Sequence, residues 1–377
     1  MTIKVLHLIG GGEIAGAEKH VLSLLNHLPA ENVEPMLGCL IKNSPLAAQA
    51  QARGLVSQTF PMKFPLDLTA TIPIVRFGRK SQIQLLHCHG TRAGLVGRVA
   101  AKILRIPCIS TVHSLPEFDY KANWKGRAAL LLDYYTLPLV DAVITVSDNL
   151  KEYVLARREQ KGLSFPVKTI YNGCDTMDFS ERDRLRKHFR RHYGIPEHTV
   201  VLGTIGRLHP VKGQMFLIEA AQLLHKEFPD LHLLIVGEGP SRTELQQALN
   251  TSGLNYTLTG YMPEAWRVLP AMDIFVLPSQ HEGMGLVLLE AAQAGVPIVA
   301  TNVGGISEIL VDQSEALLVN PASPLDLTLA CSRLLRDQAL VQKLVTKAAE
   351  KARMFTPEKM AAETAALYKE VLNTRKS

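Results

Sequence analysis

The chain has 377 residues, 47% of them hydrophobic and 20% charged, with a formal net charge of +6 at neutral pH. That composition suits two folded domains or one enlarged α/β unit and excludes a disordered or fibrous chain. Its five cysteines, at 39, 88, 108, 174 and 331, make no C-x-x-C pair or metal-ligand spacing, so neither a zinc site nor a disulfide framework is expected and a reducing cytoplasm fits.

In chain order, short β-rich apolar runs alternate with helical patterns: Lys4–Ile9, Leu37–Ile41, Leu85–Cys88, Cys108–Val112, Ala142–Val146 and Val167–Tyr171. This rhythm predicts βαβ units around a parallel sheet. The turn-rich segment NGCDTMDF, from Asn172, interrupts it. The rhythm restarts with Val200–Gly203, Leu231–Val236, Tyr256–Thr259, Ile274–Leu277, Ile298–Ala300 and Ala316–Val319, predicting a second sheet. The expected architecture is therefore two Rossmann-like, doubly wound α/β domains, residues 1–172 and 173–356, facing a ligand cleft at the carboxyl ends of their strands. Residues 357–377 read as a helix, with Leu367, Tyr368 and Val371 at helical spacing, expected to pack back on the first domain. No apolar run reaches the length of a membrane span, and the run Val5–Ile9 is too brief for a signal-peptide core.

The first strand leads into Gly10-Gly11-Gly12-Glu13-Ile14-Ala15-Gly16 and a helix with leucines on one face. Backbone amides at such a helix start suit phosphate. Residues 10–15 satisfy G-x-G-x-x-A, which leaves open a nicotinamide or flavin enzyme as well as a tight turn needing only glycine. The second strand, however, ends before Lys42, Asn43 and Ser44 rather than before an acid that would hold ribose hydroxyls.

The second half carries the stronger signal. The segment PSQHEGMGLVLLE, 278–290, follows an apolar strand and opens a helix closed by Gly295 and Pro297. Glu282 falls in the loop and Glu290, eight residues on, in the helix, placed to address opposite ends of an elongated ligand. The amides of Gly283, Met284, Gly285 and Leu286 would face its phosphates. Upstream, GTIGRLHPVKG at 203–213 ends a strand in a loop carrying Arg207 and Lys212. Arginine binds a diphosphate through two parallel hydrogen bonds and lysine adds a point charge. Fixed cations stabilise a leaving diphosphate more as its bond to sugar breaks than before. The chain has no D-x-D pair, and no metal or other cofactor is expected.

Taken together, AGAEKHV, HCHG, STVHS, TVSDNL, IYNGCD, GTIGRLHPVKG, LLIVGEGP, LTGY and EGMGLVLLE make the whole chain resemble glycosyltransferase family 4. These are GT-B enzymes that move sugar from a nucleotide donor with retention of configuration. The resemblance implies that Arg207 and Lys212 grip the donor diphosphate, that Glu290 holds the ribose, and that Glu282 with amides 283–286 holds the sugar. It further implies that Gly16 admits the phosphates, that Gly237, Tyr261 and Met262 flank the nucleobase, and that His113 serves the transferred sugar. His113, Glu282, Arg207 and Lys212 are the catalytic candidates, and His89 and Asn172 are candidates on the acceptor side. The implied partners are a nucleotide-diphosphate sugar and a carbohydrate or lipid-linked acceptor in cell-envelope glycan, polysaccharide or glycolipid synthesis, with no nucleic acid.

Three departures stand out: Ala15 in place of a frequent glycine, Met284 where an aromatic is common, and no glycine in the turn 313–316. Two alternatives are a nucleotide-sugar epimerase of the same fold, disfavoured by the carboxylate pair, and a non-catalytic binding protein, disfavoured by the presence of Glu282, Arg207 and Lys212. Charge is uneven: residues 1–172 hold 20 Lys/Arg against 12 Asp/Glu, and residues 173–377 hold 21 against 23. With the mixed basic and apolar segments Ile72–Lys80 and Tyr120–Arg127, this suggests peripheral contact of a cytoplasmic protein with the anionic inner face of the cell membrane.

Overall fold

The computed structural model describes residues 2–12, 14–64, 66–119 and 124–375. The chain forms two compact units, 1–175 with 355–377, and 176–354.

The first unit holds a parallel sheet of β1 (Ile3–Ile9), β2 (Val33–Cys39), β3 (Val56–Thr59), β4 (Leu85–His89), β5 (Cys108–Val112), β6 (Ala142–Thr145) and β7 (Val167–Thr169), in the order β3-β2-β1-β4-β5-β6-β7. The inner strands are mostly buried, β4 and β6 throughout, and read as near-continuous apolar runs. The strand β3 escaped the sequence reading because it is a short edge strand, VSQT, whose residues alternate between exposed and half-buried. The strand β2 starts earlier than expected because Pro35 lies within it. Pairing to β3 begins only at Met36, so at Pro35 that side of β2 is still an edge, where proline is tolerated.

The terminal helix Pro357–Thr374 belongs to this unit. It places Met360, Ala361, Ala365, Leu367, Tyr368 and Val371 in the core beside residues of β1, β2 and the helix Gly16–His27. Thr356 caps its start by accepting the Lys359 N–H at 3.2 Å.

The second unit carries β8 (Val201–Ile205), β9 (His232–Val236), β10 (Asn255–Leu258), β11 (Ile274–Leu277), β12 (Ile298–Thr301) and β13 (Leu317–Val319), all parallel in the order β10-β9-β8-β11-β12-β13. In each sheet the central pair, β1·β4 or β8·β11, marks the point where the strand order reverses, the usual seat of ligands in such sheets. In the turn before β13 the missing glycine is replaced by Gln313, at φ +58°.

Of the two basic and apolar segments, the first is the helix Thr71–Ser81. Ile72, Arg76, Arg79 and Lys80 are exposed, but Phe77 is half-buried against Phe60, with ring centroids 5.6 Å apart. Phe77 is thus a packing residue rather than a surface one. In the second segment Tyr120, Lys121 and the side chains of Trp124 and Lys125 lie outside the described residues; Arg127 is exposed.

Candidate active site

The loops after β8 and β11 are locked together. Gly213, at φ +66°, leaves no room for a side chain, since a Cβ would sit 1.9 Å from the Pro278 carbonyl oxygen. Nearby, the Gln280 N–H donates to the Val211 carbonyl at 2.7 Å. This contact brings Lys212 to Glu282: Lys212 Nζ donates to Glu282 Oε1 at 2.6 Å, and Ser279 Oγ donates to the same oxygen at 2.9 Å. Glu282 is 7% exposed. Ser279 is fixed in turn, its carbonyl accepting the Thr301 hydroxyl from the end of β12.

Arg207 lies exposed in the loop after β8, its carbonyl held by the buried Gln214 side chain at 2.9 Å. Burial, then the neighbouring Arg207 and Lys212 charges, lowers the pKa of His209, so a neutral imidazole stands between two cations. Gly285, at φ +80°, supplies the left-handed residue from which the helix Leu286–Gln293 starts. Glu290 is buried in that helix at 2% exposure. The side chains of Met284 and Leu286 are buried too, so both positions offer a ligand their backbone rather than their side chains. Gly237 and Gly260 form a bridge past β9 and β10, which puts Gly237 close to the exposed Tyr261 and to Met262.

In the first unit five histidines converge at and beside β1, β4 and β5. His7 Nδ1 lies 3.1 Å from His89 Nε2, and His89 Nδ1 lies 3.2 Å from His113 Nε2. His87 bridges Tyr368 of the terminal helix, at 2.6 Å, and Thr111, at 2.7 Å. His20 packs edge-on against His113, with ring centroids 4.8 Å apart. Burial is the main cause of lowered pKa throughout: His7 falls to about 3, His20 to about 4, and His87, His89 and His113 well below the ordinary value. All five are neutral at pH 7.

The structure therefore brings Lys212 to Glu282, with Arg207 in the loop that carries Lys212 and Glu290 in the helix that follows Glu282, and it brings His113 and His89 into one cluster of the first unit. His89 is 3% exposed, with its nitrogens directed at His7 and His113. Asn172 is also buried, at 6%. At Gly16 a Cβ would meet nothing within 4 Å, whereas at Gly11, φ +75°, it would strike Cys39 and Ser44 at 2.8 Å. The fold requires Gly11, and Gly16 stands at an open helix start. Ser279, His209 and His7 were not singled out by the sequence, and Tyr368 was read only as a packing residue of the terminal helix; Ser279 and His209 lie inside motifs already recognised.

Residues 14–178 match the model of Glycosyltransferase Family 4, and residues 199–337 match that of Glycosyl transferases group 1. The chain is 25% identical over 329 residues to an Escherichia coli UDP-Gal:alpha-D-GlcNAc-diphosphoundecaprenol alpha-1,3-galactosyltransferase, covering 84% of each chain. It is 30% identical over 314 residues to a D-inositol 3-phosphate glycosyltransferase of Corynebacterium efficiens, covering 79% of this chain and 74% of that one. The fold is that of Anabaena HepE, crystallised with UDP and glucose: TM-score 0.82 at 21% identity, covering 98% of this chain and 100% of the other. With both of its α/β units matched and a relative of this identity spanning most of its length, the chain belongs to the group 1, family 4 glycosyltransferases.

Proposed function

We propose that this glycosyltransferase takes its sugar from a nucleoside-diphosphate donor held by the second unit, and transfers it with retention of configuration. The observation that carries this reading is the array at the ends of β8 and β11. Exposed Arg207 and half-buried Lys212 supply positive charge, while Ser279 and Lys212 orient a buried carboxylate, Glu282. Cations fixed before the reaction need no reorganisation as the diphosphate departs, so their stabilisation is greatest in the transition state. Glu282 holds sugar hydroxyls, Glu290 the ribose, and Gly237 with Tyr261 and Met262 the base. Retention then follows from front-face attack, in which the leaving phosphate accepts the acceptor proton and His113 steadies the sugar. No metal ion enters this scheme.

The names of two relatives include diphosphoundecaprenol and inositol 3-phosphate, which supports a carbohydrate or lipid-linked acceptor here. Phe64, Leu68 and Ile72 are 58%, 45% and 55% exposed at intervals of four residues, ahead of the exposed Arg76, Arg79 and Lys80. Apolar groups beside basic ones suit an anionic membrane surface, to which each cation contributes about 1 kcal/mol. No described helix is long and apolar enough to cross a membrane. Cosedimentation with anionic but not neutral vesicles, weakened by salt, is the expected result; binding indifferent to lipid charge contradicts it.

The donor assignment is tested by a thermal-shift panel of UDP, GDP, ADP and dTDP sugars. One member at 100 times its dissociation constant adds about 2.7 kcal/mol of stability. No shift with any member, together with no release of nucleoside diphosphate, contradicts the reading.

A further inference from the structure

We infer that His20, His89 and His113 form a binding site for a zinc-class transition-metal ion, and that the bound ion withdraws His113 from sugar transfer. The second half of this statement rests on the role given to His113 above; the first does not. One ligand atom from each of the three rings lies within 4.8 Å of the others. His89 Nδ1 and His113 Nε2 are already 3.2 Å apart. Two imidazole nitrogens on one tetrahedral zinc stand about 3.3 Å apart, given Zn–N bonds of about 2.0–2.1 Å. His20 completes the set. It is 2% exposed, and neither ring nitrogen has a hydrogen-bond partner of normal geometry, although Asn172 lies close enough to favour its charged form. A buried imidazole left in this state carries an unmet polar demand that a cation would satisfy.

The groups behind the three rings have the form of an outer shell. His7 Nδ1 faces His89 Nε2 at 3.1 Å, His7 Nε2 faces the Tyr368 hydroxyl at 3.4 Å, and Tyr368 faces His87 Nδ1 at 2.6 Å, with His87 Nε2 ending the chain on Thr111. Two proton arrangements satisfy such a chain. In one, His87 donates to Thr111, Tyr368 donates to His87, His7 Nε2–H donates to Tyr368, and His89 Nε2–H donates to His7. That arrangement leaves the lone pair of His89 Nδ1 directed at the metal position, and metal binding selects it. Partners of this kind fix a ligand's tautomer and raise its basicity. Three neutral imidazoles with no sulfur or carboxylate suit zinc, nickel or copper rather than magnesium or calcium, and leave a fourth position for water. The ligands come from the helix Gly16–His27, the end of β4 and the residue after β5, so no local sequence spacing announces the site.

The test is titration of chelator-stripped full-length protein with Zn²⁺ against a chromophoric chelator, with Co²⁺ absorption as a second reading. One ion per chain is expected, lost in His20→Ala and in His89→Gln, whose folding is checked by circular dichroism. It is expected to persist in the double variant His188→Ala/His192→Ala, which removes a separate surface pair. Tyr368→Phe should weaken it about 10–100-fold. No binding by the wild type, undiminished binding by both His20→Ala and His89→Gln, or loss in the surface double variant overturns the site. Zinc that binds stoichiometrically yet leaves transfer unchanged overturns the inhibition. Because the titration uses no sugar donor, its failure is distinct from failure of the transferase reading.

Discussion

Replacing Lys212 by methionine removes the cation 2.6 Å from Glu282 and leaves a carboxylate 7% exposed with only the Ser279 hydroxyl, at 2.9 Å, as a hydrogen-bond donor from a side chain in this array. Stranding a charge in a fully buried pair costs about 3–5 kcal/mol. Lys212 is 26% exposed, so water reaches this pair and the expected loss is smaller, about 1–3 kcal/mol. Turnover suffers separately. Losing one group that stabilises transition-state charge costs about 2.7–4 kcal/mol, or roughly 10²–10³ in kcat. A second substitution separates the effects: Lys212→Met with Glu282→Gln replaces the stranded charge by a neutral amide, so stability returns while turnover stays low. Urea denaturation reads the first quantity and release of nucleoside diphosphate from saturating donor reads the second. Turnover of Lys212→Met within tenfold of wild type, or a double variant no more stable than the single one, refutes the reasoning.

In the first unit, Asp133 pairs with Arg98 at 2.7 Å, both about 5% exposed, and with Arg157 at 3.2 Å; Asp133→Ala should cost about 3–5 kcal/mol in urea unfolding, and a cost under 1 kcal/mol contradicts that pairing. In the second unit, burial and then Arg190 hold His232 at a pKa of about 4, against 6.5 for an unfolded histidine. The unfolded chain therefore binds the extra proton between those values, and stability falls as pH drops from 6.5 to 4, by up to about 1 kcal/mol per unit. The buried histidines of the first unit add to the same slope, so His232→Gln should lessen it by its own share, and an unchanged slope contradicts the lowered pKa of His232. Transfer should survive excess EDTA and give a product with the donor's anomeric configuration; an inverted product by NMR, or strict dependence on a divalent ion, contradicts the front-face scheme.

Parallel strands buried on both faces announce themselves as apolar runs, so most of both sheets was legible. The losses have physical causes. The strand β3 is polar because it is an edge, and Pro35 hides the start of β2. The helix Arg182–His192, which the sequence rhythm did not single out, is strongly basic, yet Arg190 is 0% exposed, donating to the carbonyls of Ala271, Pro196, Glu197 and Thr199 and to Asp273. Nothing in RDRLRKHFRRH separates that arginine from its neighbours, because its partners are backbone carbonyls and an aspartate about 80 residues away. The placement of Arg207, Lys212 and Glu282 in loops after parallel strands, and of Glu290 in the helix that follows, was legible because strand ends and helix starts are marked by glycine and proline. The histidine cluster was only half legible. HCHG, STVHS and AGAEKHV stood out, but nothing marked the histidine of AGAEKHV, His20, as a site residue, His7 hides in an apolar strand, and Tyr368 lies 281 residues from the His87 it contacts.

The central claim is that Arg207 and Lys212 recognise a diphosphate. The direct measurement is calorimetric binding of the matching nucleoside diphosphate and monophosphate to the wild type and to Arg207→Ala and Lys212→Ala. The wild type should prefer the diphosphate, and each variant should lose most of that preference while still binding the monophosphate. Equal affinity for the two nucleotides in the wild type, or a diphosphate preference that survives both substitutions, would contradict it.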